Sequence, residues 1–394
     1  MFDEALKEFA TARQGEYIDA VNRYGSNRKA AEALGIHRTT IDAAIASAKR
    51  AAALKGYAPE CDITKRVPDP LVLKGTSTLY GKDGEMKLQW VKTKLDDDLW
   101  TAQVREFVEW LVKDATGVYK PAPCATPRLN SDLCSTYIFG DPHFGMYAWG
   151  RQTGGSYDLN IAERMHCEAM DRSVAGAPPS ERALILNMGD FFHADNNTNM
   201  TPRSGNILDT DTRWERVMQI GLRAMVYMIM SALSKHQEVV VRNVKGNHDP
   251  HASFALALAL DAFFRNEPRV IIDLSPVEYW YYRHGKVLIG ATHSAKCKIE
   301  KLPLIMAHDR PQDWGETTHR YFHGGHVHHD NLDEFPGCVV EQHRTLAAPD
   351  SFSHGAGYRS GRSMKHVVYH REHGEVERYI CDMSMIEKAS RRKP

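Results

Sequence analysis

Between Ser135 and His328 one pattern comes back five times: a short apolar run ends abruptly in a polar turn. STYIF runs into Gly140-Asp141-Pro142-His143, RALILNM into Gly189-Asp190, and EVVVRNV towards Gly246-Asn247-His248-Asp249. KVLIGA runs into Thr292-His293, and HRYF towards Gly324-Gly325-His326-Val327-His328. Apolar runs of this length, bounded by turn residues, predict strands. Helical segments fill gaps between them, as in DTRWERVMQIGLRAMVYMIMSALSKH and ASFALALALDAFFRNE. Strands alternating with helices predict a layered α/β domain. In such sheets ligands sit beyond the C-terminal strand ends. All five polar turns lie at such ends, so one fold can bring them together. The methionines between Met218 and Met230 are read as helix core.

At 394 residues the chain exceeds one ordinary core, which predicts two or three domains. A formal net charge of zero offers no whole-chain argument for nucleic acid or membrane binding, so any such argument has to be local. No apolar run is long enough to span a bilayer. MFDEALKEFA carries acids where a signal peptide carries bases, and a cytoplasmic location is expected. Cys61, Cys124, Cys134, Cys167, Cys297, Cys338 and Cys381 are scattered and never form C-x-x-C. That fits a reducing compartment and argues against a thiolate zinc site. Among 20 histidines, a metal site here would be built from imidazole and carboxylate.

The first segment repeats apolar residues at helical spacing: Ile18 and Val21, then Ala30, Ala31 and Leu34, then Ile41, Ala44 and Ile45. Gly35 permits a tight turn between the last two helices. Ser26 or Asn27 can cap the second helix, and Thr39 or Thr40 lies in the first turn of the third. A helix, a glycine turn and another helix make a pattern whose later helix enters the DNA major groove. Between Asn27 and Gly56, Arg28, Lys29, Arg38, Lys49, Arg50 and Lys55 face only Glu32 and Asp42. Arg28, Lys29, Arg38, Thr39 and Thr40 are the candidate DNA contacts; the competing reading is a three-helix module that binds protein or only packs. AAEALGIHRTTI resembles the helix-turn-helix of Fis-like and recombinase-like DNA binders, which implies a small all-α domain over residues 1–56.

Residues 57–129 read as a connecting region. STLYGKDGEMKLQWVKT predicts a hairpin turning at Lys82-Asp83-Gly84. An amphipathic helix follows, with Trp100, Val104, Phe107, Val108 and Leu111 on one face. KPAPCATPRLN is a linker into a domain spanning 130–394.

The five turns supply Asp141, His143, Asp190, Asn247, His248, His293, His326 and His328. Oxygen and imidazole donors without sulfur suit Mn²⁺, Fe or Zn²⁺ better than Ca²⁺ or Cu(I). Asp141 and His143 are two residues apart, as are His326 and His328, so each pair can point the same way from an extended turn. Two such pairs exceed one tetrahedral ion, and a carboxylate such as Asp190 can bridge two ions.

D-x-H, G-D, G-N-H-D, a lone His after a strand, and G-H-x-H, in this order, resemble the calcineurin-like metallophosphoesterase superfamily. The resemblance covers Ser135 to His329, with the tail to about Ile386 completing the sheets. It implies an α/β fold, a four-layer α/β/β/α sandwich, and two divalent ions: Mn²⁺ first, with Fe, Zn²⁺ or Ni²⁺ as alternatives. It implies Asp141, His143, Asp190 and His328 on one ion, and Asp190, Asn247, His293 and His326 on the other. His248 is implied as electrostatic stabiliser or general acid, with Asp249 orienting it. The implied mechanism is in-line attack on phosphorus by a metal-activated water, with His248 meeting charge on the leaving oxygen. His323 and His329 lie outside the motif and are read as core or surface residues.

FFHADNNTN offers His193, Asp195, Asn196 and Asn197, of which His193 and Asn196 are candidate substrate contacts; a hydrogen-bonded loop is the alternative. The glycine-rich tail carries His343, Arg344, Arg359 and Arg362. Arg344 and Arg359 are candidate forks for phosphate oxygens, with acid pairing as the alternative. The whole arrangement resembles phage or prophage proteins in which a helix-turn-helix precedes a metallophosphoesterase domain. That favours a DNA nuclease with DNA as partner, no membrane contact, and the bacterial host cytoplasm as location if the chain is phage-encoded. A homo-oligomer is compatible with it. The alternatives are a small-molecule or cyclic-nucleotide phosphodiesterase, and a DNA-binding regulator with a vestigial phosphoesterase fold. A complete ligand set argues against the last.

Overall fold

The computed structural model describes residues 2–67, 71–83, 85–95 and 129–390. The expected helix bearing Trp100, Val104, Phe107, Val108 and Leu111 lies outside these residues, as do Gly84 of the hairpin turn and most of the linker. The chain divides into two compact units, Met1–Glu106 and Phe107–Pro394. Among the described residues no helix is long and apolar enough to cross a membrane.

The first unit holds α1 (Ala12–Tyr24), α2 (Asn27–Leu34) and α3 (Arg38–Leu54). Thr11 and Gln14 form a reciprocal capping box on α1, and Ser26 caps α2 by accepting from Lys29 N–H. Gly25 and Gly35 close α1 and α2 with φ of +78° and +65°, a region that favours glycine. Ile18, Val21, Ala30, Ala31, Ile41, Ile45, Ala48 and Ala52 form one buried core. A hairpin belongs to the same unit: β1 (Leu71–Tyr80) pairs antiparallel with β2 (Met86–Leu95), Leu79 opposite Leu88. Tyr80 Oη donates to Asp62 Oδ2 at 2.6 Å and Gln89 Nε2 to the Asp62 carbonyl at 3.2 Å, tying the hairpin back. The expected basic excess is smaller in the fold than in the sequence. Arg28 pairs with Glu32 at 3.1 Å, Arg38 with Asp42 at 3.2 Å, and Lys49 with Glu60, outside the counted window, at 3.3 Å.

The second unit is built on two sheets. Its strands are β3 (Asn130–Phe139), β4 (Ser180–Asn187), β5 (Glu238–Asn243), β6 (Val270–Asp273), β7 (Trp280–His284) and β8 (Val287–Thr292). They continue with β9 (His319–Gly324), β10 (Asn331–Phe335), β11 (Cys338–Gln342), β12 (Ser363–His370) and β13 (Gly374–Asp382). One sheet has the order β13-β12-β3-β4-β5-β6, with β3 to β6 parallel and β12 antiparallel to β3. The other has the order β10-β11-β9-β8-β7, with β8, β9 and β11 parallel. The parallel strands explain the unbroken apolar runs: β4 buries Ala183 to Asn187 on both faces.

Between the sheets lies a shared core of Ile138, Leu184, Leu186 and Val240 from the first and Trp280, Val287, Ile289 and Ala291 from the second, with Val367 and Tyr369. The helices α4 (Leu159–Gly176), α5 (Trp214–Leu233) and α6 (Ala252–Phe264) pack on the first sheet and each other. Met218, Met225 and Met228 are buried in α5, while Met230 reaches the surface. The helix α7 (Leu302–Asp309) sets Leu302 and Met306 against Leu288, Phe322 and Val340 of the second sheet.

Candidate functional site

Each polar turn sits just past the C-terminal end of its strand: Asp141 and His143 after β3, Asp190 after β4, Asn247 and His248 after β5, His293 after β8, His326 and His328 after β9. The backbone there is unusual. Of eight described non-glycine residues with positive φ, five are Asp141, His143, Asp190, His326 and His328, so strain is concentrated at one place. Two glycines let the turns close. A Cβ on Gly246 would strike the Asp190 carboxylate, and one on Gly325 would meet the Met188 carbonyl at 2.9 Å and Asp141 Oδ2 at 3.0 Å.

The side chains fall into overlapping donor groups, two of which take their members from the five turns alone, while a third joins His143 to His193 and His248. Asp141, His143 and His328 bring ligand atoms within 4.8 Å of one another, and so do Asp190, His293 and His326. In the first, His143 Nε2 and His328 Nε2 stand 3.1 Å apart, and His328 Nε2 is 3.7 Å from Asp141 Oδ1. In the second, His293 Nε2 is 2.9 Å from Asn247 Oδ1 and 3.2 Å from Asp190 Oδ2. Two imidazoles bound at about 2.1 Å to one ion at a right angle would place their nitrogens about 3 Å apart, so the donor set and its spacing fit divalent metal. The anchors beneath are backbone groups: His326 N–H donates to both Asp141 oxygens at 2.9 Å, His293 Nδ1 meets the Met188 carbonyl at 2.9 Å, and His248 N–H donates to Asp190 Oδ1 at 2.8 Å.

Electrostatics follow from burying so many ionisable groups together. Burial pushes Asp141 up to about 7 and pushes His328 down to about 4. Burial opposes the charge on His293, but Asp190 and Asp141 beside it outweigh that and raise it to about 10. Burial likewise opposes ionisation of Asp190, and His293 outweighs it, holding that carboxyl well below its ordinary range. A concentration of negative charge able to hold a proton this strongly is also able to hold a cation.

Asp249 does not orient His248. Its fully buried carboxylate accepts from Asp190 N–H at 3.2 Å, Gly246 N–H at 3.1 Å and Phe192 N–H at 3.1 Å, so it pins two of the turns together. Burial and then Asp190 push its carboxyl up, against the Phe192 amide. His248 Nδ1 instead meets the His193 carbonyl at 2.9 Å. His193 is buried in the cluster, its Nδ1 3.2 Å from His143 Nδ1, and burial followed by His248 takes it down to about 3. Asn196 turns back on its own loop, accepting from Thr198 N–H and Oγ1. Arg344 faces Asp330, Nε to Oδ2 at 3.2 Å, and exposed Arg359 donates to the carbonyls of His354 and Tyr358, so both meet protein groups. His329 folds onto the Val327 carbonyl at the surface. Buried His323 lies 2.9 Å from both His343 Nε2 and Tyr369 Oη. Asp195, left open between substrate and loop hydrogen bonding, accepts from the N–H groups of His251 and Ala252 at the start of α6; sequence reasoning missed Thr345, whose Oγ1 donates to the Asp141 carbonyl at 2.6 Å.

No family model and no curated protein matches this sequence. Among solved structures, the chain is similar to a conserved uncharacterized protein of Streptococcus pneumoniae TIGR4 described as a predicted phosphoesterase, at 11% identity and a TM-score of 0.27, covering 64% of this chain and 99% of that one. It is similar to a novel archaeal phosphodiesterase at 10% identity and a TM-score of 0.30, covering 62% and 99%. It is similar to zinc-complexed Vps29 of Entamoeba histolytica at 12% identity and a TM-score of 0.25, covering 63% and 98%. Likeness at this level does not carry a function; the donor set has to.

Proposed function

We propose that the second unit is a two-metal phosphodiesterase of the calcineurin-like type, in a four-layer α/β/β/α arrangement, and that DNA is its substrate. One observation carries the chemistry: ligand types from four turns far apart in sequence converge, without sulfur, into two adjoining groups, and Asn247 of the remaining turn reaches His293 at 2.9 Å. Asp141, His143 and His328 would hold one ion and Asn247, His293 and His326 the other, with Asp190 shared. Mn²⁺ is the first expectation, with Fe, Zn²⁺ and Ni²⁺ as alternatives. Such ions supply Lewis-acid charge and a water of lowered pKa. The chain's own contribution is positional. The His193 carbonyl accepts from His248 Nδ1–H, and it is the imidazolium form of His248 that would give its Nε2 proton to the leaving oxygen, becoming the neutral Nδ1–H tautomer.

The DNA reading is supported by the first unit. Its third helix exposes Arg38, Thr39, Thr40, Ala43, Ser47 and Arg50, a face small enough to enter a major groove. The second reading, a small-molecule phosphodiesterase, is favoured by the ion pairs that occupy Arg28, Arg38 and Lys49. The test is hydrolysis of single- and double-stranded DNA beside bis-p-nitrophenyl phosphate and cyclic nucleotides, with Mn²⁺ and with EDTA. EDTA-sensitive cleavage of the model diester and of DNA is expected, and Asp190→Ala should abolish both and release metal. Full turnover by Asp190→Ala with metal bound would overturn the two-metal assignment. Cleavage of cyclic nucleotides with DNA left intact would select the second reading.

A further inference from the structure

Lys365 is a lysine buried between the two sheets, and stability alone does not call for one there. It lies on β12 in register with Ile138 of β3, three residues before Asp141. The row Lys365, Val367, Tyr369 faces the second sheet, since Val367 and Tyr369 belong to the core the sheets share. Lys365 is 6% exposed. Its Nζ donates to Glu341 Oε1 at 2.6 Å and to Asp330 Oδ1 at 2.9 Å, both on the second sheet's side. Asp330 closes the loop that carries His326 and His328, two residues past His328. Arg344 meets the other Asp330 oxygen, and Arg378 meets Glu341 Oε1 at 2.5 Å. Burial opposes the Glu341 charge, but His343, Arg378 and the neighbouring His323 and Lys365 hold it well below the ordinary carboxylate range.

We propose that Lys365 and Asp330 form a clamp that sets where the His326–His328 loop of one sheet stands relative to the Asp141–His143 turn of the other. It rests on the metal reading of Asp141, His143 and His328. The two turns come from different sheets, and ligand sets tolerate only about 0.5 Å of misplacement. A slip between the sheets would open the 3.1 Å approach of His143 to His328. A nearby contact acts in the same sense: Thr345 Oγ1 on the Asp141 carbonyl. The cluster of His323, Glu341 and His343 is not itself a cation site, because Lys365 and Arg378 already occupy Glu341. Removing one partner of a buried ion pair strands the other charge, but without Lys365 the Glu341 carboxylate keeps Arg378 and Asp330 keeps Arg344, and thermal unfolding separates the clamp's role from folding.

The experiment is Mn²⁺ titration calorimetry on the chelator-treated full chain, for wild type, Lys365→Met and Asp330→Ala, with thermal unfolding alongside. Mn²⁺ affinity should fall about 10- to 100-fold in both variants, the range for groups that support a ligand from behind. Turnover of bis-p-nitrophenyl phosphate should recover at saturating Mn²⁺, which a general loss of structure would not allow. Asp330→Ala keeps the test decisive if Lys365→Met does not fold, since Asp330 is partly exposed and Lys365 keeps Glu341. A folded variant with wild-type Mn²⁺ affinity overturns the clamp. A wild type that holds no Mn²⁺ overturns both the metal reading and the clamp. A wild type that binds Mn²⁺ but cleaves no phosphodiester sinks the proposed function, while lost affinity in Asp330→Ala still supports the clamp.

Discussion

Asp249→Ala separates a catalytic carboxylate from a scaffolding one. The wild-type side chain accepts three backbone N–H groups, from Asp190, Phe192 and Gly246, at 3.1–3.2 Å in a fully buried position. Alanine leaves all three without an acceptor. Each orphaned buried N–H costs roughly 1–3 kcal/mol, and water entering the space left by the carboxylate relieves part of that. The expected loss is about 3–5 kcal/mol. At about 2–4 °C per kcal/mol for a domain of this size, the unfolding midpoint should drop by about 6–20 °C.

Asp249→Asn should fall between. It keeps one acceptor oxygen but sets its amide against a backbone N–H, for a loss of about 1–3 kcal/mol. The assay is calorimetric or denaturant unfolding of the metal-free protein, so that binding does not contribute. Metal content of the folded protein at low temperature is measured beside it. Had Asp249 acted through His248, alanine would lower turnover and leave unfolding unchanged. An unfolding free energy within about 1 kcal/mol of wild type would therefore refute the scaffold role, since even one orphaned amide costs that much.

His248→Ala should keep near-normal metal content and lose roughly two to four orders of magnitude in turnover, the range for general acid–base help. Metal loss by elemental analysis would make His248 a ligand instead. Stability should also depend on acid through buried histidines outside the donor groups. Burial holds His166, His236 and His366 down to about 4 each, against 6.5 in the unfolded chain. The unfolded chain then takes up protons first. Stability is whole above about pH 6.5 and falls as pH drops towards 4, by at most about 3 kcal/mol for each histidine. Urea unfolding from pH 7.5 to 4.5 measures it, and a flat profile would contradict the burial.

What the sequence made legible was side-chain chemistry at strand ends. Parallel strands bury both faces, so each reads as an apolar run, and the polar residues that follow mark where it surfaces. That is why Asp141, His143, Asp190, Asn247, His293, His326 and His328 could be assembled from spacing, and the structure brings them together. The edge strands β10 and β13 were harder. Each lacks a partner on one side; β13 leaves Val376 and Ile380 at the surface, and its pairing with β12 carries a register shift between Val368 and Tyr369.

Asp249 and Arg344 show where that legibility ends. The family resemblance implied that Asp249 orients His248, and Arg344 stood open between a phosphate fork and acid pairing; in both cases the partner is set by three-dimensional pairing. For Arg344 that partner is Asp330, reached only once β9 and β11 are known to lie side by side. For Asp249 the partners are backbone amides of residues 57–59 positions away and of Gly246. Every residue but proline carries such an N–H. The groups that hold the ligands in place, the Met188 and His193 carbonyls and the amides of Asp190, Phe192, His248 and His326, are therefore the part of the site that no residue type can announce.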